Sequence, residues 1–231
     1  MNKEKSCVVL HITESFGGGV IASISNCIDY APHATHYLLV NIRTGDDIGI
    51  DFSGRVKKIL YLPSSHYARI AYIKKTVKKI NPDIIHAHSS FAGGYTRLAR
   101  FSDHRVIYTP HGFSFLRRDI SVFKRLLFFI MESFLSLPGG NFAPCGPYEE
   151  KLCKYMLGAR NISALYNISD AVIARSTTKK REHTICTIGR VCPQKDPLFF
   201  AEVVKKVRAK DNGTYEIKFL WIGGENAKYN N

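Results

Sequence analysis

The sequence predicts an α/β protein: a mainly parallel-sheet domain followed by a second, shorter strand–helix–strand unit. Three observations carry that expectation. Short apolar runs alternate along the chain with segments of helical periodicity, the signature of repeated βαβ units. Glycine-rich turns follow the apolar runs at Phe16-Gly17-Gly18-Gly19 and at Gly223-Gly224. The 231 residues, 45% hydrophobic and 23% charged, have the composition of an ordinary globular protein with room for one large domain or two small ones.

The elements follow in order. Cys7 to Ile12 (CVVLHI) reads as a buried strand, Ser15 to Gly19 as a turn and Val20 to Tyr30 as a helix. Strands are expected at His36 to Ile42 and Val56 to Leu62. Ile70, Ile73, Val77 and Ile80 recur at helical spacing opposite a lysine-rich side, and that helix stops at Asn81-Pro82. Asp83 to His88 reads as a strand entering a small-residue loop, Ser89 to Gly94, and Arg105 to Thr109 as a strand ending in Pro110-His111-Gly112. The densest apolar segment, Ser121 to Leu137, is interrupted by Lys124, Arg125 and Glu132, so it suits a helix buried in the core or lying on a membrane rather than a span. The core is the better reading. Tyr148 to Leu157 reads as a helix and Ile162 to Tyr166 as a strand.

A polar stretch ending in Lys179-Lys180-Arg181 suggests a boundary, with an N-terminal domain over 1–170, a linker over 171–183 and a partial second domain over 184–231. Thr184 to Ile188 is the next strand. Asp196 and Pro197 then suit the N-cap and first position of a helix running to about Lys210, and Tyr215 to Ile222 returns as a strand. This second unit is short for an independent half of ~100 residues, so truncation is expected.

The charge balance, 33 basic against 19 acidic residues or +14, favours anionic partners such as nucleotide phosphates, lipid-linked pyrophosphates or an acidic lipid surface. No nucleic-acid-binding motif is legible, and none is expected to bind. The apolar run near the N-terminus is too short for a secretory leader, so a cytoplasmic protein is expected. Six scattered cysteines lack zinc-knuckle or redox spacing and read as reduced thiols. His86 and His88 are the nearest approach to a metal pair and more simply pack beneath the following loop, so no metal is expected.

Chemistry is concentrated in three places. The backbone of Gly17 to Gly19, with no side chains in the way, lets an anion approach a helix N-terminus, although a tight packing turn reads equally well. Arg190 and Lys195 flank Pro193 in a short loop between a strand and a capped helix, where two cations suit a pyrophosphate that gains charge as its bond to a sugar breaks. Solvated surface charges are the plain alternative. His111, just after a strand, suits a hydrogen bond to a sugar hydroxyl or a phosphate, although a lone histidine in a loop is more often structural.

With those residues in view, the chain resembles the GT-B glycosyltransferases of family 4, which build bacterial capsule, O-antigen and exopolysaccharide. The resemblance runs through FGGGV (16–20), DIIHAHSSFAGG (83–94), VIYTPHGFSF (106–115), ALYNISDA (164–171), ICTIGRVCPQKDP (185–197) and FLWIGG (219–224). It implies retaining transfer of a hexose from a nucleotide-sugar donor to a glycan or lipid-linked acceptor, without a metal cofactor, at the inner membrane face. Arg190 and Lys195 would grip the donor diphosphate together with Gly18 and Gly19, Gly189, Gly223 and Gly224 would shape the donor loops, and His111 would lie beside the transferred sugar as the catalytic candidate. Two departures stand out. The family's Asn-Gly-(Ile/Val)-Asp junction appears as Asn167-Ile168-Ser169-Asp170, and its Glu-x7-Glu element has no counterpart before Asn231. A catalytically inactive fragment that binds a nucleotide, a membrane or a partner is therefore the alternative reading.

Overall fold

A computed structural model describes residues 6–42, 49–101, 105–137, 140–168, 183–192, 195–210 and 217–224. The chain divides into two compact units, Met1–Ser169 and Asp170–Asn231. Most of the expected linker, residues 171–182, lies outside the described residues.

The first unit is one parallel sheet of seven strands: β1 (Val8–Thr13), β2 (Thr35–Val40), β3 (Lys58–Tyr61), β4 (Ile84–His88), β5 (Arg105–Thr109), β6 (Asn141–Phe142) and β7 (Asn161–Ile162). Their order is β3-β2-β1-β4-β5-β6-β7, so the winding reverses between β1 and β4. In such sheets the crevice at the carboxyl edge of that reversal is where ligands collect.

Alternation along the strands divides the interior in two. Leu10, Ile12, Leu39, Ile85, Ala87, Tyr108 and Phe142 face the larger core beneath α2 (His66–Ile80) and α3 (Ser90–Ala99). Leu38 and Val40 face a smaller core that includes Phe16, Ile21, Ile24 and Ile28 from the turn and helix after β1. That helix, α1, runs Gly18–Asp29, so Gly18 and Gly19 form its first turn rather than a loop before it. α2 ends where expected, with Asn81 in the left-handed conformation (φ 50°) donating its N–H to the Val77 carbonyl and Pro82 following.

Three expectations are corrected. The small-residue segment Ser89 to Gly94 is not a loop: α3 begins at Ser90, and its two glycines are tolerated because Gly93 lies against the Tyr108 ring, where an added Cβ would come within 2.3 Å. The strand expected over Ile162 to Tyr166 is only the two-residue β7, and β6 was not legible at all. The apolar helix α4 (Val122–Ser136), expected in the core, packs on it through Phe128 and Phe129 but is not enclosed by it. Its buried residues are Glu132 and Ser136, whereas Phe123, Leu126, Leu127, Ile130 and Phe134 are exposed.

One buried polar staple fastens α4. Arg97 of α3 pairs with Glu132 at 2.6 Å, with both side chains under a tenth exposed. Tyr108 donates its hydroxyl proton to the other Glu132 oxygen at 2.9 Å, and the guanidinium stacks 4.2 Å from the Tyr108 ring.

The second unit pairs β8 (His183–Ile188) in parallel with β9 (Ile217–Ile222) around α6 (Pro197–Lys210). Asp196 caps α6 as its sequence suggests, its carboxylate accepting from the Phe199 N–H at 3.0 Å.

Candidate active site

In the first unit the site is built at the carboxyl edge, where β1, β4 and β5 end. β1 ends in Thr13-Glu14, and the buried Glu14 carboxylate accepts from the Ser89 hydroxyl at 3.1 Å, linking the two strands between which the winding reverses. Beyond it, the Cβ positions of Gly18 and Gly19 meet nothing within 4 Å among the described residues, and α1 has neither a side-chain cap nor an acidic residue in its first turn. Its N-terminal amides are thus open to an anion.

His111 follows β5 in the left-handed region (φ 51°) and Gly112 continues the turn (φ 91°). Two groups hold this turn. The Glu149 carboxylate, in the first turn of the short helix α5 (Pro147–Lys151), accepts from the Gly112 N–H and, through its second oxygen, from the Cys145 N–H at 3.0 Å. The His111 Nε2 lies 3.0 Å from the His88 Nδ1. Burial pushes the His111 pKa down to about 4, with Glu149 opposing the shift, so the imidazole is neutral near pH 7.

His88 belongs to a buried row. Its Nε2 lies 3.2 Å from His11 Nδ1, His11 Nε2 lies 3.1 Å from His36 Nδ1, and His36 Nε2 reaches the Ala31 carbonyl at 3.0 Å. The His86 ring lies tilted against His88, with centroids 3.9 Å apart, and bonds the Thr109 hydroxyl at 2.9 Å. Burial holds His11 and His88 well below the ordinary histidine pKa and takes His86 to about 3, so these three are neutral. His11, His86 and His88 have ring nitrogens within 4.8 Å of one another. Both nitrogens of His11 and of His88 are already engaged in hydrogen bonds. His86 and His88 are buried on β4, which is followed by α3 rather than by the expected loop. The cross-sheet row they join was not legible, because His11 and His36 come from distant strands.

In the second unit, Gly189, Arg190 and Lys195 share the loop from β8 to α6, and Gly223 and Gly224 follow β9 at the same carboxyl edge. The two edges are zipped together: the Gly189 N–H donates to the Ile222 carbonyl at 2.9 Å, the Val191 N–H to the Gly224 carbonyl at 3.1 Å, and the Trp221 indole to the Gly189 carbonyl at 2.8 Å. A Cβ on Gly223 would meet the Gly189 oxygen at 2.1 Å, so the close approach requires glycine. The Lys195 stem runs over Gly189, with its Cε 3.1 Å from where a Cβ would stand, and both Lys195 and Arg190 are exposed. Two exposed cations at a strand-to-helix turn form an arrangement able to take a diphosphate.

Sequence reasoning missed Glu14 and Glu149. Glu14 had a signal, an acid directly between a strand and the glycine turn. Glu149 had none, since what it holds lies 37 residues away in sequence.

A doubly wound parallel sheet with its site at the winding reversal, followed by a βαβ unit with a basic loop, defines the GT-B glycosyltransferase class of fold. Solved structures agree. Sucrose-phosphate synthase from Thermosynechococcus elongatus matches with TM-score 0.63 and 12% identity over 96% of this chain and 72% of that one. Anabaena HepE, solved with UDP and glucose, matches at 0.60 and 12% over 94% and 69%. The lipopolysaccharide outer core galactosyltransferase WaaB matches at 0.55 and 15% over 96% and 69%. The profile of Glycosyltransferase Family 4 matches residues 32–178, and the chain belongs to that family. An uncharacterized 41.2 kDa protein of the cps region of Klebsiella pneumoniae is 31% identical over 137 residues, 55% of this chain, and the match spans 37% of that protein's length.

Proposed function

We propose that the protein transfers a hexose, with retention of anomeric configuration, from a nucleotide sugar to a glycan or lipid-linked acceptor in cell-surface polysaccharide assembly. Family membership supports glycosyl transfer. The cps-region relative supports the polysaccharide role, and HepE, solved with UDP-glucose, supports a nucleotide-sugar donor. The observation that carries the reading is the loop holding Gly189, Arg190 and Lys195 between β8 and the capped α6. There Arg190 and Lys195 stabilise the departing diphosphate, so the reading calls for no metal, while Gly18 and Gly19 offer amides to phosphate and His111 contacts the sugar.

The test is calorimetric titration with UDP, GDP and their sugar conjugates. Arg190→Ala and Lys195→Ala should each weaken binding by about 1–3 kcal/mol, as for charge-assisted hydrogen bonds. Unchanged curves for both would sink the assignment. Proton NMR of the first-formed product decides the stereochemistry, and inversion would refute that part.

The reading extends to a cytoplasmic protein resting on an anionic membrane. No helix among the described residues is long and apolar enough to cross one. α4 supports the resting mode: Phe123 (76% exposed), Phe134 (64%) and Leu126 (53%) are turned outward, with Arg118 and Lys124 exposed nearby. Flotation with phosphatidylglycerol vesicles should carry the wild type and lose Phe123→Ser/Leu126→Ser. Equal flotation of the two would remove α4 from the account.

A further inference from the structure

The histidine row has a direction, and the direction can be read from its inner end. The Ala31 carbonyl can only accept, so the His36 Nε2 facing it at 3.0 Å carries the proton. With one proton on each ring, the His36 Nδ1 is bare, and the His11 Nε2 at 3.1 Å must donate to it. The same step repeats twice. The bare His11 Nδ1 accepts from His88 Nε2 at 3.2 Å, and the bare His88 Nδ1 accepts from His111 Nε2 at 3.0 Å. Reversing the neutral row would set a bare His36 nitrogen against the Ala31 oxygen, two acceptors face to face. Burial keeps His11, His88 and His111 neutral, which the one-proton-per-ring count requires.

We propose that His36, His11 and His88 are positioning residues that lock His111 in its Nε2–H tautomer, leaving Nδ1 as a bare acceptor that recognises a hydroxyl of the transferred sugar rather than a phosphate oxygen. Among the described residues His111 Nδ1 has no hydrogen-bond partner, and the residue is partly exposed at the carboxyl edge. A phosphate oxygen offers no proton to such a nitrogen, whereas a hydroxyl does. The ligand half of this inference rests on the nucleotide-sugar reading, and the tautomer half does not.

Imidazole tautomers are distinguished by long-range proton–nitrogen correlation spectra, so the test begins with the ligand-free, histidine-labelled protein at pH 7.5. All four rings should show a protonated Nε2 and a bare Nδ1, and a protonated Nδ1 on His111 would overturn the proposal outright. Two variants then probe the inner end. His36→Phe removes the anchor and should leave His111 as a mixture of tautomers. In His36→Gln, the amide accepts from His11 and donates to Ala31, which should restore the single tautomer. If His36→Phe fails to fold, His36→Gln and the wild type still decide the assignment.

Binding is measured with UDP, UDP-glucose and GDP-mannose. His36→Phe should lose roughly twofold of the preference for UDP-glucose over UDP, the depletion of the competent tautomer in an even mixture, with affinity for UDP itself unchanged. An unchanged preference in a variant whose tautomer has shifted would refute recognition of the hydroxyl. If neither nucleotide sugar binds, it is the donor reading that fails, and the spectra still stand or fall on their own.

Discussion

Replacing Glu149 with glutamine tests how the turn carrying His111 is held. The carboxylate takes three donors: the Gly112 N–H on one oxygen, and on the other the Cys145 N–H at 3.0 Å and the Cys145 thiol at 3.1 Å. Glutamine keeps one oxygen and turns an NH2 group, itself a donor, toward whichever backbone N–H remains. The lost bond to a charged acceptor costs about 1.5–3 kcal/mol. The retained one falls from charge-assisted to neutral strength, roughly another 1 kcal/mol. Urea denaturation followed by tryptophan-independent far-ultraviolet dichroism should therefore show a loss of about 2.5–4 kcal/mol. The Gly112 or Cys145 amide resonance should move upfield as its hydrogen bond weakens. Removing the negative charge also takes away the influence that raises the His111 pKa, so that pKa should fall further below about 4. A stability change under 1 kcal/mol with both amide resonances unmoved would show that Glu149 does not hold the turn.

Three further outcomes are expected. Glu132→Gln leaves the Arg97 guanidinium, whose Nη1 has no hydrogen-bond partner among the described residues, without its counter-charge in a site under a tenth exposed, and should cost about 3–5 kcal/mol in urea unfolding. The double change Arg97→Met/Glu132→Leu should cost much less, and equal costs would refute the reasoning. Gly93→Ala drives a Cβ to 2.3 Å from the buried Tyr108 ring and should destabilise by about 1–3 kcal/mol, whereas Gly94→Ala, with nothing within 4 Å, should not; similar values for the two would contradict the packing. Finally, the native His111 and His86 stay neutral down to about 4 and 3, whereas an unfolded histidine takes up a proton near 6.5, so the native state binds fewer protons in that window. Stability should be fully present above pH 6.5 and fall as the pH drops toward 4, and a flat profile between pH 7.5 and 4.5 would exclude the buried neutral histidines.

How much of this was legible depended on whether the governing interaction was local. β1, α2 and the start of α6 were readable because their signals sit within a few residues: an apolar run, a 3.6-residue period closed by Asn81-Pro82, an Asp196-Pro197 cap. α3 was hidden because its helicity depends on Gly93 nesting against Tyr108, 15 positions away, while its local composition of serine and glycine argues for a loop. α4 was misjudged for a related reason. Hydrophobicity alone predicts burial, but only Glu132 and Ser136 turn fully inward, and the staple to Arg97 decides which face does so. Arg190 and Lys195 were singled out by their place in a strand-to-helix loop, where solvated surface charges read as well. His11 and His36 were not singled out, since a histidine in an apolar run carries no mark of the partner it will meet across a sheet.

The zipped edge of the second unit gives neighbouring glycines opposite mutational fates. Gly223 and Gly224 stand together in one motif, and neither offers a side chain to any ligand. Any side chain at Gly223 strikes the Gly189 carbonyl, the same oxygen that the Trp221 indole grips, and forces β8 and β9 apart just where Arg190 leaves the sheet. At Gly224 an added methyl meets nothing within 4 Å among the described residues. A library of all single substitutions, scored for donor binding, separates the two sharply: position 223 behaves like a catalytic residue, and position 224 like open surface.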